Sequence, residues 1–258
     1  MNKNQIRLAI AGINGRMGKS ILKLLNMQID KNILLNGVIE TKSSLKERKK
    51  IFYKSNFLNI KSNIIDIIDD FDVLIDFTNP KSTIENLNIC KSYNKKIVIG
   101  TTGFNIQQKL IIEKISKKIA IVLSANFSLG INILLKILEN ITKIFCKNKL
   151  ENKVDINIIE KHHKNKKDAP SGTALSLKNI IIQIYKKYNF MKEIKCHSIR
   201  AADLYGEHNI LFSFIGEQIE LIHKASNRRA FSEGAIKAAI WLYTKKTGIY
   251  NMSHVLEI

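Results

Sequence analysis

A chain of 258 residues with 45 % apolar and 25 % charged side chains has the composition of a soluble globular protein, with room for one large domain or two moderate ones. No apolar run approaches the roughly 20 residues that a membrane-spanning helix needs, so no membrane partner is expected. The formal net charge of +20 rests on 36 lysines and only 6 arginines scattered over the whole length, which argues against a concentrated, arginine-bearing surface and hence against a specific nucleic-acid partner.

Met1–Gln5 carries one lysine and leads into six residues before a glycine, too short for the apolar part of a secretory signal. Cys90, Cys146 and Cys196 fit no disulfide framework and no metal spacing, so the expected location is the cytoplasm. Ile6 to Ala11 reads as a buried strand, Met17 to Met27 as a helix, and Ile33 to Ile39 as a second strand ending at Glu40. Thr41 to Asn63 is polar and lysine-rich and carries no assignable pattern. Strands are then expected at Val73–Phe77, Lys96–Ile99 and Ile119–Leu123, with helices after Pro80 and over Ile106–Ser116. The repeated strand, small polar turn and helix place several turns at one edge of a parallel sheet. Beyond Gly130 the rhythm changes: long helices over Ile131–Phe145 and Thr173–Tyr188, strands at Val154–Glu160, Ile194–Arg200, Asn209–Gly216 and Gln218–Ala225, and a last helix over Phe231–Thr244. The expected fold class is α/β: a Rossmann-like parallel-sheet domain over 1–129, a second α+β domain with a mixed, largely antiparallel sheet over 130–227, and a segment over 228–258 that returns to the first.

The turn Gly12-Ile13-Asn14-Gly15-Arg16-Met17-Gly18 follows a strand and opens a helix. Its glycines suit a tight turn, a close approach of backbone to a pyrophosphate, and helix–sheet packing, although the spacing is GxxGxxG rather than GxGxxG. Arg16 suits a phosphate. Glu40, 22 residues after Gly18, suits ribose hydroxyls, or else is an ordinary solvated strand end. Gly100-Thr101-Thr102-Gly103 suits a nicotinamide carboxamide or ribose, or else only opens a helix. Asn126 and Phe127 fall on the same edge, and Phe127 reads equally as core or as a wall for the nicotinamide.

The segment from Glu160 to Thr173, Glu-Lys-His-His-Lys-Asn-Lys-Lys-Asp-Ala-Pro-Ser-Gly-Thr, is the most specific part of the sequence. It sets two histidines and four lysines before the start of an apolar helix. Histidine donates a proton near neutral pH. Lys166 offsets developing negative charge, and Ser171, Gly172 and Thr173 offer hydroxyls and open amides to a carboxylate. A metal site lacks a third ligand and would face lysine repulsion. The pattern points to a small polyanionic substrate that is both bound and protonated.

With these motifs the chain resembles the 4-hydroxy-tetrahydrodipicolinate (dihydrodipicolinate) reductase family. Further elements of the resemblance are Asp76-Phe77-Thr78, Ala125-Asn126-Phe127-Ser128, Arg200, Gly206-Glu207-His208 and His223 to Phe231. It runs in order over essentially the whole chain and adds Met17, Phe77, Thr78 and Ala125 to the expected nucleotide contacts. The resemblance implies a homotetramer of two-domain subunits in which the second domain carries substrate binding and tetramerisation. It implies NADH or NADPH as cofactor and a cyclic dicarboxylate substrate on the diaminopimelate route to lysine. Hydride goes to ring C4 and a proton to C3 after loss of water. His162 is the implied acid, His163 a carboxylate contact, Lys166 the group that binds and polarises the substrate, and Gly172 and Thr173 carboxylate ligands. The chain departs from the family in three places. Thr41 follows Glu40 where NADPH-preferring members often carry arginine, with Lys42 one residue further on. Residues 41–63 are shortened and lysine-substituted, and Ala202 stands where glycine is common. Another reductase on the same nucleotide domain, or a regulatory or nucleic-acid-binding protein that has lost catalysis, are the rival readings. The intact proton donors and carboxylate receptor argue against both.

Overall fold

The computed structural model describes residues 5–27, 32–46 and 48–258. They form two compact units, one of residues up to Ser128 together with Arg229–Glu257, the other of Leu129–Arg228.

The first unit opens with β1 (Ile6–Ala11), α1 (Arg16–Met27) and β2 (Ile33–Ile39). β1 pairs in parallel with β2, and its residues Leu8 to Ala11 are fully buried, as a strand covered on both faces requires. The stretch that carried no sequence pattern holds a hairpin, β3 (Lys50–Tyr53) and β4 (Asn56–Asn59), in which Ile51 and Tyr53 point inward and Phe52 outward. There follow β5 (Val73–Asp76), α2 (Pro80–Ser92), β6 (Lys96–Ile99), α3 (Ile106–Ser116) and β7 (Ala120–Leu123). The Asn79 side chain accepts from the Ser82 amide with Pro80 in the first turn of α2, and Asn105 and Gln108 close a reciprocal capping box on α3.

The second unit runs through α4 (Leu129–Lys147), β8 (Asp155–His162), α5 (Gly172–Lys187), β9 (Lys195–Arg200), β10 (Glu207–Phe214) and β11 (Glu217–Lys224). Its sheet has the order β11-β10-β8-β9. β10 is antiparallel to both neighbours and β9 parallel to β8, so the sheet is mixed and largely antiparallel as expected. Ile156 and Ile158 of β8 pack with Ile210, Phe212, Leu138 and Leu177 in one apolar cluster. β8 extends two residues beyond its expected end. His162 is therefore a strand residue and not, as expected, part of a loop.

The chain then rejoins the first unit as α6 (Arg229–Tyr243), β12 (Gly248–Tyr250) and α7 (Met252–Leu256). The buried Ala235, Ala238 and Ala239 belong to α6, which contacts α1, β5 and β6. β12 pairs in parallel with β7 and completes a six-stranded parallel sheet of order β12-β7-β6-β5-β1-β2. Neither β12 nor α7 was expected from the sequence, because both are too short to show a period. Among the described residues, no helix is long and apolar enough to cross a membrane.

Candidate active site

β1 has β2 on one side and β5 on the other, so the strand order reverses beside the turn that follows it. Open α/β sheets take their ligands at such a switch point. A cleft of about 830 Å³ lies there, and of the expected nucleotide contacts Gly12, Asn14, Gly15, Glu40, Phe77 and Thr78 line it. Gly12 sits at φ +80°, and a Cβ on Gly18 would lie 2.3 Å from the Gly12 carbonyl oxygen, so neither position accepts a side chain without moving the turn. No side chain among the described residues caps α1. The Arg16 and Met17 amides, too early to bond within the helix, remain open donors at its start, and the Arg16 side chain is exposed.

Glu40 is more than a solvated strand end: its Oε2 accepts from the Asn14 amide at 3.0 Å and its Oε1 from the Thr41 amide at 2.9 Å. A carboxylate has about four lone-pair sites, so acceptor capacity remains. Asn14 Nδ2 donates to Ser44, while its buried Oδ1 has no partner among the described residues. Backbone donors for phosphate, a fixed carboxylate for ribose hydroxyls and an orphaned acceptor fit a dinucleotide. Sequence reasoning missed Arg48, which also lines this cleft. Its signal was available: it is the one arginine in a stretch of lysines between positions 41 and 63.

The other expected nucleotide contacts fall outside this cleft. Thr101 is buried, and its hydroxyl lies 2.8 Å from that of Thr83 and accepts from the Thr78 amide at 3.1 Å, which corrects the expectation that it faces a nicotinamide. The centre of this knot is Asp76, fully buried and bonded by Thr78, Thr83 and Asn86; burial pushes its carboxyl pKa up against those hydrogen bonds. Gly100 lies under the Phe77 ring and Thr102 is exposed. Phe127 is core: it is 2 % exposed and packs edge-on against Phe77 at 5.4 Å. Asn126 turns its Oδ1 to the Ser128 amide at 2.8 Å, and Ala125 is exposed.

In the second unit, the pleat of β8 points Ile156, Ile158, Glu160 and His162 to one buried face. Glu160 is fully buried, and its Oε2 meets His162 Nδ1. Its Oε1 accepts from Arg200 Nη2 at 2.6 Å and from the Ser171 amide at 3.3 Å. Burial alone would raise the Glu160 pKa, but Arg200, Ser198 and His162 outweigh it and hold the carboxyl at about 2. For His162, burial lowers the pKa first, opposed by Glu160 and reinforced by the charges of Lys166 and Arg200, leaving it below its ordinary value. His208, opposite Glu160 across the sheet, is pushed down to about 3, chiefly by burial, and packs edge-on against the His162 ring.

Lys166 is half-buried and forms an ion pair with both oxygens of Asp168, at 2.8 and 2.9 Å. His163 is half-buried and its carbonyl accepts from the Lys166 amide. Ser171 requires a correction. Its hydroxyl, expected to face a ligand, is buried as the N-cap of α5, accepting from the Ala174 amide and meeting His208 Nε2 at 3.2 Å. Gly172, exposed and with open space around its Cα, and the half-buried Thr173 start the helix, where the Gly172 amide donates to the Asp168 carboxylate. Among the described residues no cluster of His, Cys, Asp and Glu could hold a metal ion.

A parallel sheet with a polar cleft at its switch point, and a buried histidine followed by a lysine and an exposed helix start, fit an oxidoreductase that works with a nicotinamide nucleotide. Family models described as the N-terminus and the C-terminus of dihydrodipicolinate reductase match residues 6–127 and 130–256. A 4-hydroxy-tetrahydrodipicolinate reductase from Wigglesworthia glossinidia brevipalpis is 49 % identical over 98 % of this chain and 94 % of its own length. One from Buchnera aphidicola subsp. Baizongia pistaciae is 42 % identical over the full length of both. The solved structure of a dipicolinate-bound dihydrodipicolinate reductase from Paenisporosarcina sp. TG-14 superposes with a TM-score of 0.78 at 26 % identity, over 97 % of this chain and 99 % of that one. The chain belongs to the dihydrodipicolinate reductase family. Its reaction is the NAD(P)H-dependent reduction of 4-hydroxy-2,3,4,5-tetrahydrodipicolinate to 2,3,4,5-tetrahydrodipicolinate with loss of water, in diaminopimelate and lysine biosynthesis.

Proposed function

We propose that His162 is the acid of this reaction, delivering a proton from Nε2 to ring C3, and that the chain works as a cytoplasmic homotetramer using either NADH or NADPH. The observation that carries this reading is the end of β8, where Glu160 engages His162 on Nδ1 and Gly206 lies beside the other ring nitrogen. A methyl group built on Gly206 would lie 3.0 Å from Nε2, so a side chain at that position would crowd the atom. Burial and two nearby cations disfavour the imidazolium in the free protein. A dicarboxylate bound beside Lys166 offsets those cations and raises the proton affinity of Nε2, so the proton arrives with the substrate.

Lys166 exchanges Asp168 for the substrate, binding and polarising it. His163 and the start of α5 at Gly172 and Thr173 hold the carboxylates, through the helix-start amides in particular. In the nucleotide cleft, the turn amides around Gly15 to Met17 hold phosphate and Glu40 holds ribose hydroxyls. When bound, the dihydronicotinamide supplies the hydride for ring C4. Arg48, which lines the cleft with Glu40, and Lys42, two residues after Glu40 in the chain, are cations that suit a 2′-phosphate, while Glu40 suits the free hydroxyls of NADH, which supports dual use. The exposed Ile199 of β9 and Ile222 of β11 share the sheet face turned away from the apolar cluster, which supports burial of that face against other copies of the chain.

Lys166→Ala tests the assignment. Losing a charged hydrogen bond to the substrate lowers kcat/KM by about 10–100-fold. An unchanged kcat/KM in steady-state assays removes Lys166 from the mechanism.

A further inference from the structure

A histidine that delivers a proton needs its tautomer fixed, because only one ring nitrogen faces the substrate. Sheet register supplies the means in this chain. Glu160 and His162 are two residues apart on the buried face of β8. The parallel partner of His162 on β9 is Arg200, and the antiparallel partner of Glu160 on β10 is His208. Arg200 Nη2 and the Ser171 amide both donate to Glu160 Oε1, so that oxygen is an acceptor twice over. The guanidinium keeps the carboxylate ionised, and an ionised carboxylate only accepts. Oε2 therefore takes a hydrogen from His162 Nδ1, and Nε2 is left as the one nitrogen of this ring that gains and loses a proton.

We propose that Glu160 is the positioning residue of the reaction: clamped by Arg200 and the Ser171 amide, it fixes His162 in the Nδ1–H tautomer and aims Nε2 at the substrate. This rests on the reading of His162 as the acid. The ionisable groups acting on the His162 ring are Glu160 on its own strand, Arg200 on β9, Lys166 on the following loop and His208 on β10. His223 on β11 lies one strand further out, opposite His208. Of these, Glu160 alone carries the negative charge that sustains an imidazolium.

Glu160→Gln is isosteric and makes a sharp test. An amide has a single acceptor oxygen, which Arg200 and Ser171 claim. Its NH2 then turns to His162 Nδ1, which must become a bare acceptor, moving the hydrogen of the neutral ring to Nε2. The variant is expected to lose at least about tenfold in kcat, the scale on which a hydrogen-bonded orienting partner acts, with a smaller change in substrate KM. The basic limb of its kcat–pH profile moves to lower pH, because the imidazolium has lost its counter-charge. Nucleotide affinity, measured by fluorescence titration, stays at the wild-type value.

A wild-type measurement decides the matter even if that variant folds poorly. 15N NMR of histidine-labelled protein above pH 7.5, with His162→Gln used to assign the signal, is expected to show hydrogen on Nδ1 of His162. Hydrogen on Nε2 in the wild type overturns the proposal, as does a folded Glu160→Gln enzyme with wild-type kcat and pH profile. Full turnover by His162→Gln overturns the underlying reading of the acid and this proposal with it. Loss in His162→Gln alone, with Glu160→Gln unaffected, overturns only the positioning role.

Discussion

The turn after β1 and the end of β8 are built in different ways. The turn works with backbone: Gly12 and Gly18 bring the chain close to itself, and the start of α1 leaves amides open. The end of β8 works with side chains, packing Glu160, His162, Arg200 and His208 into one buried network in which every charge depends on the others. A backbone site is sensitive to shape and indifferent to pH. A buried side-chain site is sensitive to protonation and to the loss of any partner.

Two perturbations separate these behaviours, and a third sharpens the comparison. The largest effect is expected from Gly18→Ala. Its methyl group meets the Gly12 carbonyl at 2.3 Å, costing about 3 kcal/mol of stability and at least about tenfold in nucleotide affinity, read by urea unfolding and fluorescence titration. Substrate-side groups are untouched, so preserved nucleotide affinity in a folded variant breaks the account of the turn.

Acid is the matching perturbation of the second region. His162, His208 and His223 are all held below the ordinary histidine pKa by burial. Their stabilisation is complete above pH 6.5 and is lost as pH falls, because the unfolded chain then binds protons that the folded chain refuses. With His208 at about 3, that residue alone removes on the order of 2 kcal/mol between pH 7 and pH 5. The contribution of Glu160 is present above its unfolded pKa of 4.5 and is lost as pH falls toward 2. Urea midpoints that stay flat from pH 7 to pH 5 contradict this picture.

The smallest effect concerns Ala202, which stands at φ +40° just after β9, with the neighbouring Ala201 amide on the His162 carbonyl. Alanine is strained there, and Ala202→Gly is expected to stabilise the protein by about 0.5–1 kcal/mol in thermal or urea unfolding. A destabilised variant would show that the strain is absent.

The sequence was readable where function depends on spacing along the chain. The glycine turn, five of the six strands of the parallel sheet and the start of α5 are local features, and they lie within one to two residues of where periodicity and capping place them. What it hid depends on direction and distance. Thr101 and Phe127 sit at a ligand-bearing edge, yet both side chains turn inward, and no linear motif records that choice. Glu160 opens the most specific segment of the chain, but its partnership with Arg200 spans 40 residues and arises only when β8 and β9 pair. The β3–β4 hairpin consists of two four-residue strands inside a lysine-rich stretch, too short for alternation to stand out.

The central claim is that the end of β8 protonates the substrate while a separate backbone turn binds the nucleotide. Steady-state oxidation of NADH and of NADPH with freshly generated 4-hydroxy-tetrahydrodipicolinate, in wild type and in His162→Gln, tests it directly. The account predicts substrate-dependent oxidation with both nucleotides, a fall in kcat of about 10²–10⁴-fold in the variant, and unchanged nucleotide affinity. Wild-type turnover by a folded His162→Gln enzyme would contradict it.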